Sequence, residues 1–248
     1  MDLIESYFWA LSTFLVPVLF LITAPAFYFL FYFRKKDLHE NHKIQTEHIT
    51  SAQFRRELLY SLTSLMVFTI SGFGVFLLYI NDYSSIYMNI TLPDIIYLPV
   101  SVFLMMIFHD MYFYWTHRLL HLPGWYQKIH TVHHLSSNPS PFTSLSFHPV
   151  EAIIQAAVLP LMIMIIPAHP FAIFVFLMYM VYKNVRGHTG FEFTTQSYRQ
   201  TGWHRLKGYP IHHNIHHLNC RDNYGLYFTF WDRLLRTFRE NEPADRKD

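Results

Sequence analysis

Residues 91–121 read TLPDIIYLPVSVFLMMIFHDMYFYWTHRLLH and decide the architecture of the chain. Thr91, Pro93 and Asp94 predict a helix start, because a hydroxyl residue, an early proline and an acidic first turn are typical of helix N-termini. The next 14 residues are uncharged. His117 lies 23 residues beyond Asp94, or about 35 Å along a straight helix, just longer than a hydrocarbon core of about 30 Å. The stretch predicts a helix that crosses a membrane and presents histidines where it emerges.

Further apolar segments predict the rest of a membrane stem. Residues 11–33 and 58–80 are uncharged over 23 positions each, which is enough to cross a membrane. Residues 149–166 and 171–182 are separated by a Pro-Ala-His-Pro turn, which predicts a helical hairpin whose ends return to the same side. With the N-terminus outside, the positive-inside rule places all 19 Lys and Arg on the cytoplasmic side. We expect an all-α fold, with a stem of about four transmembrane helices capped by a cytosolic, histidine-rich helical domain.

Composition argues against several classes of protein. Of 248 residues, 52% are hydrophobic and 15% are charged, whereas an average soluble domain is about 25% charged. This disfavours a disordered chain and a highly charged soluble binding module. A net charge of +2, with no basic patch interleaved with aromatic residues, argues against a nucleic-acid partner. Cys220 is the single cysteine, which excludes an intrachain disulfide and a multi-cysteine metal site. The 17 histidines are therefore the feature that needs a function.

The histidines occur in groups with helical spacing. His117 and His121 are four residues apart, and residues 130–134 (HTVHH) and 213–217 (HNIHH) each carry three at i, i+3 and i+4. This spacing predicts one helical face for each group, where imidazoles can share a metal ion. Eight imidazoles exceed the coordination of one ion, so we predict two ions of iron, copper, zinc or nickel. No glutamate stands between the histidines, which disfavours a zinc peptidase and favours redox and dioxygen chemistry.

These motifs resemble those of the fatty acid hydroxylase and sterol desaturase superfamily, a group of integral-membrane di-iron oxygenases. Residues 110–121 (DMYFYWTHRLLH) are similar to its first histidine box, and the two HxxHH groups are similar to its later boxes. The resemblance covers about residues 108–237. The remaining matches are 148–151 (HPVE), 187–193 (GHTGFEF), 223–225 (NYG) and 231–232 (WD), although 235–237 (LRT) replaces the usual Phe-Gly-Thr.

The resemblance implies an organisation and a set of ligands. It divides the chain into an N-terminal transmembrane region (1–107), a hydroxylase-like domain with a membrane hairpin at 149–185 (108–237), and a polar tail (238–248). Asp110 lies seven residues before His117, on nearly the same helical face, and is expected to accept an imidazole N–H, with an acid on the helix surface near the interface as the alternative. Asn184 is expected to support a ligand directly or through water. His148 is also expected to support the ligands, with an outer ligand and a cap of the hairpin as the alternatives. The implied metal ligands are His117, His121, His130, His133, His134, His188, His213, His216 and His217.

The other histidines carry no ligand assignment. Those without partner spacing are expected to be incidental, namely His39, His42, His48 and His169. Three more are left unassigned, namely His109, His204 and His212.

The implied function is oxidation of a lipid. We expect two iron ions, O2 as co-substrate, and hydroxylation of a C–H bond in a fatty acyl, sterol or related lipid, in lipid metabolism or biosynthesis. The alternatives are desaturation at the same site and a non-catalytic zinc-binding membrane protein. An external ferredoxin or cytochrome b5 type electron donor is expected, because the chain has no Gly-rich nucleotide motif and no cysteine cluster. We expect no catalytic residue beyond the metal ligands, and an active site on the cytoplasmic side of a bacterial inner membrane or the endoplasmic reticulum.

Overall fold

The computed structural model describes residues 12–34 and 40–240. Regular structure in these two ranges is helical, which confirms the predicted all-α fold. Short π-helical turns follow the first helix (Phe29–Arg34) and precede the fourth (Tyr126–His130). In chain order the α-helices are α1 (Leu15–Tyr28), α2 (Ser51–Ile80), α3 (Leu92–Leu120), α4 (Thr131–His134), α5 (Pro149–Ala156), α6 (Val158–Ile165), α7 (Pro170–Gly187), α8 (Gln196–Arg199), α9 (Pro210–Asn219) and α10 (Phe230–Leu234). The 3-10 turns are Glu40–His42, Pro141–Leu145 and Gly202–Leu206.

In the part of the chain that the structure describes, three helical segments are long and apolar enough to cross a membrane: Leu15–Arg34, Ser51–Ile80 and Leu92–Leu120. The last begins as the sequence predicts, because the Asp94 carboxylate accepts the Thr91 N–H at 2.7 Å. α2 and α3 have 30 and 29 residues, or about 45 Å at the usual helical rise. Each is therefore longer than the roughly 30 Å hydrocarbon core, so part of each helix extends beyond a bilayer of that thickness.

α5, α6 and α7 form the predicted hairpin. The chain reverses at residues 166–169, where the His169 side chain accepts the Phe171 N–H at 3.1 Å and caps α7. The loop between α2 and α3 is bound to the hairpin beside this turn, because the Ser85 N–H donates to Ile163 O at 2.7 Å. The turn thus lies at the same end of the stem as that loop. The start of α5, the end of α7 and the end of α3 lie together at the opposite end.

The interior of the stem is one apolar core. α1 packs against α2 and α7, α2 packs against α5 and α6, and α3 packs against α7. Phe20, Met162 and Phe176 are fully buried among these helices. Apolar side chains also face outward, and Ile70 and Ile96 are 70% and 71% exposed. A stem that is apolar on both its inside and its outside is the pattern expected of helices surrounded by lipid.

The segments outside the stem cover the end opposite the hairpin turn, which we call the capped end. The 126–130 turn contacts α3 and α5, and α9 contacts α7. Asp232 of α10 accepts the N–H groups of Tyr224 at 2.9 Å and Gly225 at 2.8 Å, and so fixes the 223–228 loop. These contacts bring the histidine-bearing segments of the cap onto the end of α3.

Candidate metal centre

Four parts of the fold bring histidines together at the capped end. The end of α3, the 126–134 segment, the C-cap of α7 and helix α9 each contribute. All of these side chains are buried except His121, which is partly exposed. They form two groups, within each of which the ligand atoms lie within 4.8 Å of one another. The five-histidine cluster contains His117, His121, His130, His134 and His216, and the four-histidine cluster contains His133, His188, His213 and His217.

Each HxxHH group is divided between the two clusters. His130 and His134 belong to the five-histidine cluster, whereas His133 belongs to the four-histidine cluster. In the second group His216 is likewise separated from its two neighbours. On a helix with 3.6 residues per turn, residue i+4 lies about 40° from residue i, whereas residue i+3 lies about 60° away in the other direction. The three imidazoles of a group therefore do not share one ion site, because each segment lies between the two clusters and contributes to both.

The imidazoles meet through their Nε2 atoms. In the five-histidine cluster, Nε2 of His216 lies 3.1 Å from Nε2 of His121 and 3.1 Å from Nε2 of His134. In the four-histidine cluster, Nε2 of His188 lies 2.9 Å from Nε2 of His213. Two Nε2 atoms bound to one ion at about 2.1 Å and roughly a right or tetrahedral angle lie about 3.0–3.4 Å apart. The spacing of the rings is therefore that of ligands to a shared ion.

Main-chain carbonyls determine which ring nitrogen carries the lone pair. The Nδ1 N–H of His216 donates to Asp222 O at 2.7 Å, and that of His188 donates to Asn184 O at 2.8 Å. A carbonyl oxygen only accepts, so these Nδ1 atoms hold the hydrogens and the Nε2 atoms are unprotonated. In each cluster a lone pair of a neutral imidazole is thus directed at a neighbouring Nε2 atom, an arrangement that a shared cation would stabilise.

Protonation of the cluster imidazoles does not provide the positive charge at these sites. Burial lowers the pKa of His188 to about 4 and holds the pKa of His213 and His217 well below the usual value of 6.5. The cluster imidazoles outside the spanning helices are consequently neutral at pH 7. Neutral imidazole donors suit iron, zinc, copper or nickel. The residues present therefore fit two metal ions, one in each cluster.

Comparison with known proteins places the chain in a family. The sequence model of the fatty acid hydroxylase family matches residues 102–237, which is more than half of the chain. The chain belongs to the fatty acid hydroxylase family. This confirms the resemblance drawn from the histidine motifs, and the matched range contains both clusters.

Several curated proteins are similar to this family member. Lathosterol oxidase of Mus musculus is 32% identical over 197 residues, which are 79% of this chain and 64% of the relative. Lathosterol oxidase of Homo sapiens is 30% identical over 197 residues, which are likewise 79% of this chain and 64% of the relative. Delta(7)-sterol 5(6)-desaturase ERG3 of Saccharomyces cerevisiae is 26% identical over 238 residues, which are 95% of this chain and 61% of the relative. The chain thus spans less than two thirds of the length of these relatives. No solved structure gives a significant match.

Two polar side chains without a predicted role, Glu151 and Cys220, lie within hydrogen-bonding distance of cluster histidines of this family member. Oε1 of Glu151 lies 2.7 Å from Nδ1 of His130, and both side chains are 1% exposed. Sγ of Cys220 lies 3.3 Å from Nδ1 of His134 and 3.4 Å from the Tyr126 hydroxyl. The sequence does indicate a partner for Glu151, because a carboxylate in the first turn of an apolar hairpin helix is energetically costly without one. The sequence gives no such indication for Cys220, because its contact depends on the left-handed backbone conformation that Cys220 itself adopts at the end of α9.

Asp110 is in contact with main-chain N–H groups instead of an imidazole. Its carboxylate accepts the N–H groups of Tyr227 at 2.8 Å and Phe228 at 3.1 Å. The expectation of a direct contact with a histidine is wrong, because the 223–228 loop occupies the carboxylate. Asp110 acts through that loop, whose Tyr224 carbonyl accepts the His117 Nδ1 N–H at 2.9 Å.

The two other predicted supports behave differently from each other. Asn184 contacts His188 through its main-chain oxygen, while its side-chain amide donates to Ser144 O at 2.9 Å. His148 instead accepts the Val150 N–H at 3.2 Å and caps α5. A ligand-supporting role for His148 is therefore replaced by the capping alternative, because its ring is used at the start of the hairpin.

The other described histidines lie outside both clusters. His109 is hydrogen-bonded to the Tyr227 hydroxyl at 2.8 Å, His212 lies 3.3 Å from Glu240, and His204 stacks on Trp203. His42 and His48 are near the surface, and His169 caps α7. His39 lies outside the described residues.

Proposed function

We propose that this chain is a membrane-bound oxidoreductase that holds two iron ions and uses O2 to oxidise a C–H bond of a lipid. The observation that carries the proposal is the pair of adjacent clusters, in which neutral imidazoles direct Nε2 lone pairs at common points. His117, His121, His130, His134 and His216 would hold one ion, and His133, His188, His213 and His217 the other. Bound iron supplies the reductive activation of O2 that cleavage of an unactivated C–H bond requires.

The protein's own residues orient the ligands and exclude water. The carbonyls of Asp222 and Asn184 fix the ring orientation of two ligands, as partners of metal-bound histidines do. On the stem side, the Phe113 ring lies 5.0 Å from the ring of His117, and the Phe147 ring lies 5.1 Å from that of His133. These aromatic rings separate the clusters from the membrane interior with an apolar layer. A lipid carbon can approach through that layer, whereas bulk water is disfavoured there.

The position of the clusters favours a substrate that comes from the bilayer. α3 begins as a candidate span and carries His117 in its last turn. We place the capped end on the cytoplasmic side of the endoplasmic reticulum or a bacterial inner membrane, because the loops at that end carry the Lys and Arg of the chain. Electrons would come from a separate ferredoxin or cytochrome b5 type protein.

The product distinguishes two outcomes of the same chemistry. Hydroxylation adds one oxygen, and desaturation removes two hydrogens. The names of the relatives, lathosterol oxidase and Delta(7)-sterol 5(6)-desaturase, favour desaturation and a sterol-like lipid. Hydroxylation of a fatty acyl or related lipid is the second candidate, favoured by the family match.

The test is turnover by the purified protein in lipid nanodiscs with iron, a reductant and a sterol mixture. We expect O2 consumption that depends on the lipid, and a product lighter by two hydrogens or heavier by one oxygen in mass spectrometry. One bound zinc per chain and no O2 consumption would support the non-catalytic zinc protein instead. The His133→Ala and His217→Ala variants should insert into membranes normally and be inactive.

A further inference from the structure

One face of α7 leads from the hairpin turn to the metal centre. Ile173, Leu177, Met180, Asn184 and His188 follow one another at intervals of three or four residues, so they share a face of the helix. The first of these is near the turn, and the last belongs to the four-histidine cluster. Their separation of 15 positions in the sequence corresponds to about 22 Å along the helix axis.

Within residues 12–34 and 40–240, three cavities follow one another along this face. The outer cavity, of about 450 Å³, lies beside the hairpin turn and is lined by Ile173 and Leu177. The middle cavity, of about 30 Å³, shares Leu177 with it and also reaches Met180. The inner cavity, of about 30 Å³, shares Met180 with the middle one and reaches Asn184. We call this series the α7 lane.

The inner end of the lane lies directly beneath the metal centre. Phe113 and Phe147 line the inner cavity, and these are the rings that contact His117 and His133. The walls of the inner cavity are mostly apolar, with a few polar side chains that include Asn184. Two aromatic side chains therefore lie between the inner end of the lane and the clusters.

The outer end of the lane borders the surface of the stem. Phe171 and Phe174 line the outer cavity and are 55% and 39% exposed. A cavity of about 450 Å³ is in the range of roughly 300–1,000 Å³ that holds small-molecule ligands. Its lining is almost entirely apolar, so the ligand it fits is hydrocarbon. Because both exposed rings lie on a helix of the stem, that hydrocarbon would enter from lipid.

We propose that the lipid substrate binds along the α7 lane, with its apolar tail in the outer cavity and its reacting carbon in the inner cavity. This inference rests on the proposed function. Met180, Val16 and Phe68 line both the middle and inner cavities and form the constriction between the two ends. Methionine is the side chain best suited to rearrange at such a point, because it is unbranched and adapts to irregular spaces.

The experiment uses metal-free protein in nanodiscs and a photoreactive, alkyne-tagged sterol as the probe. Labelled residues are mapped by mass spectrometry. In the unaltered protein we expect labels on the lane face of α7, at Ile173, Leu177 and Met180. Labels confined to the lipid-facing residues Met178 and Tyr179 would overturn the proposal, and this mapping requires no variant to fold.

A matched pair of variants tests the lane directly. Leu177 is 4% exposed and lines two of the cavities, whereas its neighbour Met178 is 46% exposed and lines none of the three. We expect Leu177→Trp to reduce labelling of the lane about tenfold or more, which corresponds to about 1.4 kcal/mol of binding free energy. Met178→Trp should leave it unchanged. Equal labelling of the two variants would contradict the lane.

Because labelling is read without metal or turnover, its failure is distinct from failure of the proposed oxidation. A protein that labels in the lane but does not consume O2 would support the lipid site and contradict the oxidoreductase. A protein that oxidises lipid but is labelled only on its outer surface would support the oxidoreductase and contradict the lipid site in the lane.

Discussion

The contact between Glu151 and His130 gives the sharpest prediction about the metal centre. The pair is joined at 2.7 Å with both side chains 1% exposed, so bulk water does not compete for this contact. Removal of such a partner of a metal-bound histidine weakens metal binding by about 10–100-fold, or about 1.4–2.7 kcal/mol. We expect Glu151→Ala to lie at the upper end of that range. Glu151→Gln keeps an acceptor oxygen without the charge and should lie at the lower end.

The assay is a Co²⁺ titration of metal-free protein against a chelator, followed by visible absorption. His130 belongs to the five-histidine cluster alone, so one of two binding steps should weaken while the other keeps its affinity. Glu47→Gln, at an exposed position, is the matched control and should bind as the unaltered protein does. Two unchanged steps in Glu151→Ala, with helical content intact, would refute the reasoning.

Three further predictions concern stability. Asp110→Asn removes the charge from the group that accepts two main-chain N–H groups, and it should lower the free energy of unfolding by about 1.5–3 kcal/mol while the metal content stays unchanged. A large loss of metal from folded protein would contradict the indirect role of Asp110. Gly72→Ala should lower the free energy of unfolding by about 1–3 kcal/mol, because a Cβ at this position would lie 2.7 Å from Thr13 O. Gly74→Ala has open space around its Cβ and should not be destabilised, so equal melting temperatures of the two variants would contradict this prediction. The melting temperature of the metal-free protein should fall as the pH is lowered below about 6.5, because folding lowers the pKa of buried histidines such as His188 and the unfolded chain then binds more protons. A melting temperature that is independent of pH between 7 and about 5 would contradict neutral, buried clusters.

Periodicity in the sequence was sufficient to predict the candidate spans, the hairpin and most of the cluster histidines. Apolar runs and the early Pro93 and Asp94 determine where α3 begins and how far it reaches. Local spacing of histidines identifies eight of the nine cluster residues, because neighbouring turns of one helix lie side by side. His188 stands alone in the sequence and was found only through the family resemblance.

The assignment of ligands to clusters needed the tertiary structure. Spacing shows that His133 and His134 lie close together, but it does not show that the segment lies between two histidine clusters. The same limit applies to Asp110, whose helical face was predicted correctly while its partner was not. A carboxylate on that face binds whichever donor packs against it, and here that donor is the 223–228 loop, which is more than a hundred residues away in the chain.

Side chains that support the ligands were the hardest to predict. The Glu151 contact depends on where α5 begins relative to the 126–130 turn, and the Cys220 contact depends on the backbone turn that ends α9. Both are products of packing between segments that are distant in sequence. Buried polar residues near a predicted metal site are therefore candidates for such contacts even where their spacing shows no pattern.

The count of metal ions in single-cluster variants tests the central claim most directly. We predict two iron ions per chain in protein purified without chelators, measured by plasma mass spectrometry. We predict one ion in the variant His216→Ala, since His216 belongs to the five-histidine cluster, and one in His217→Ala, since His217 belongs to the four-histidine cluster. A single ion in the unaltered protein, or an unchanged count in both folded variants, would contradict a centre of two ions.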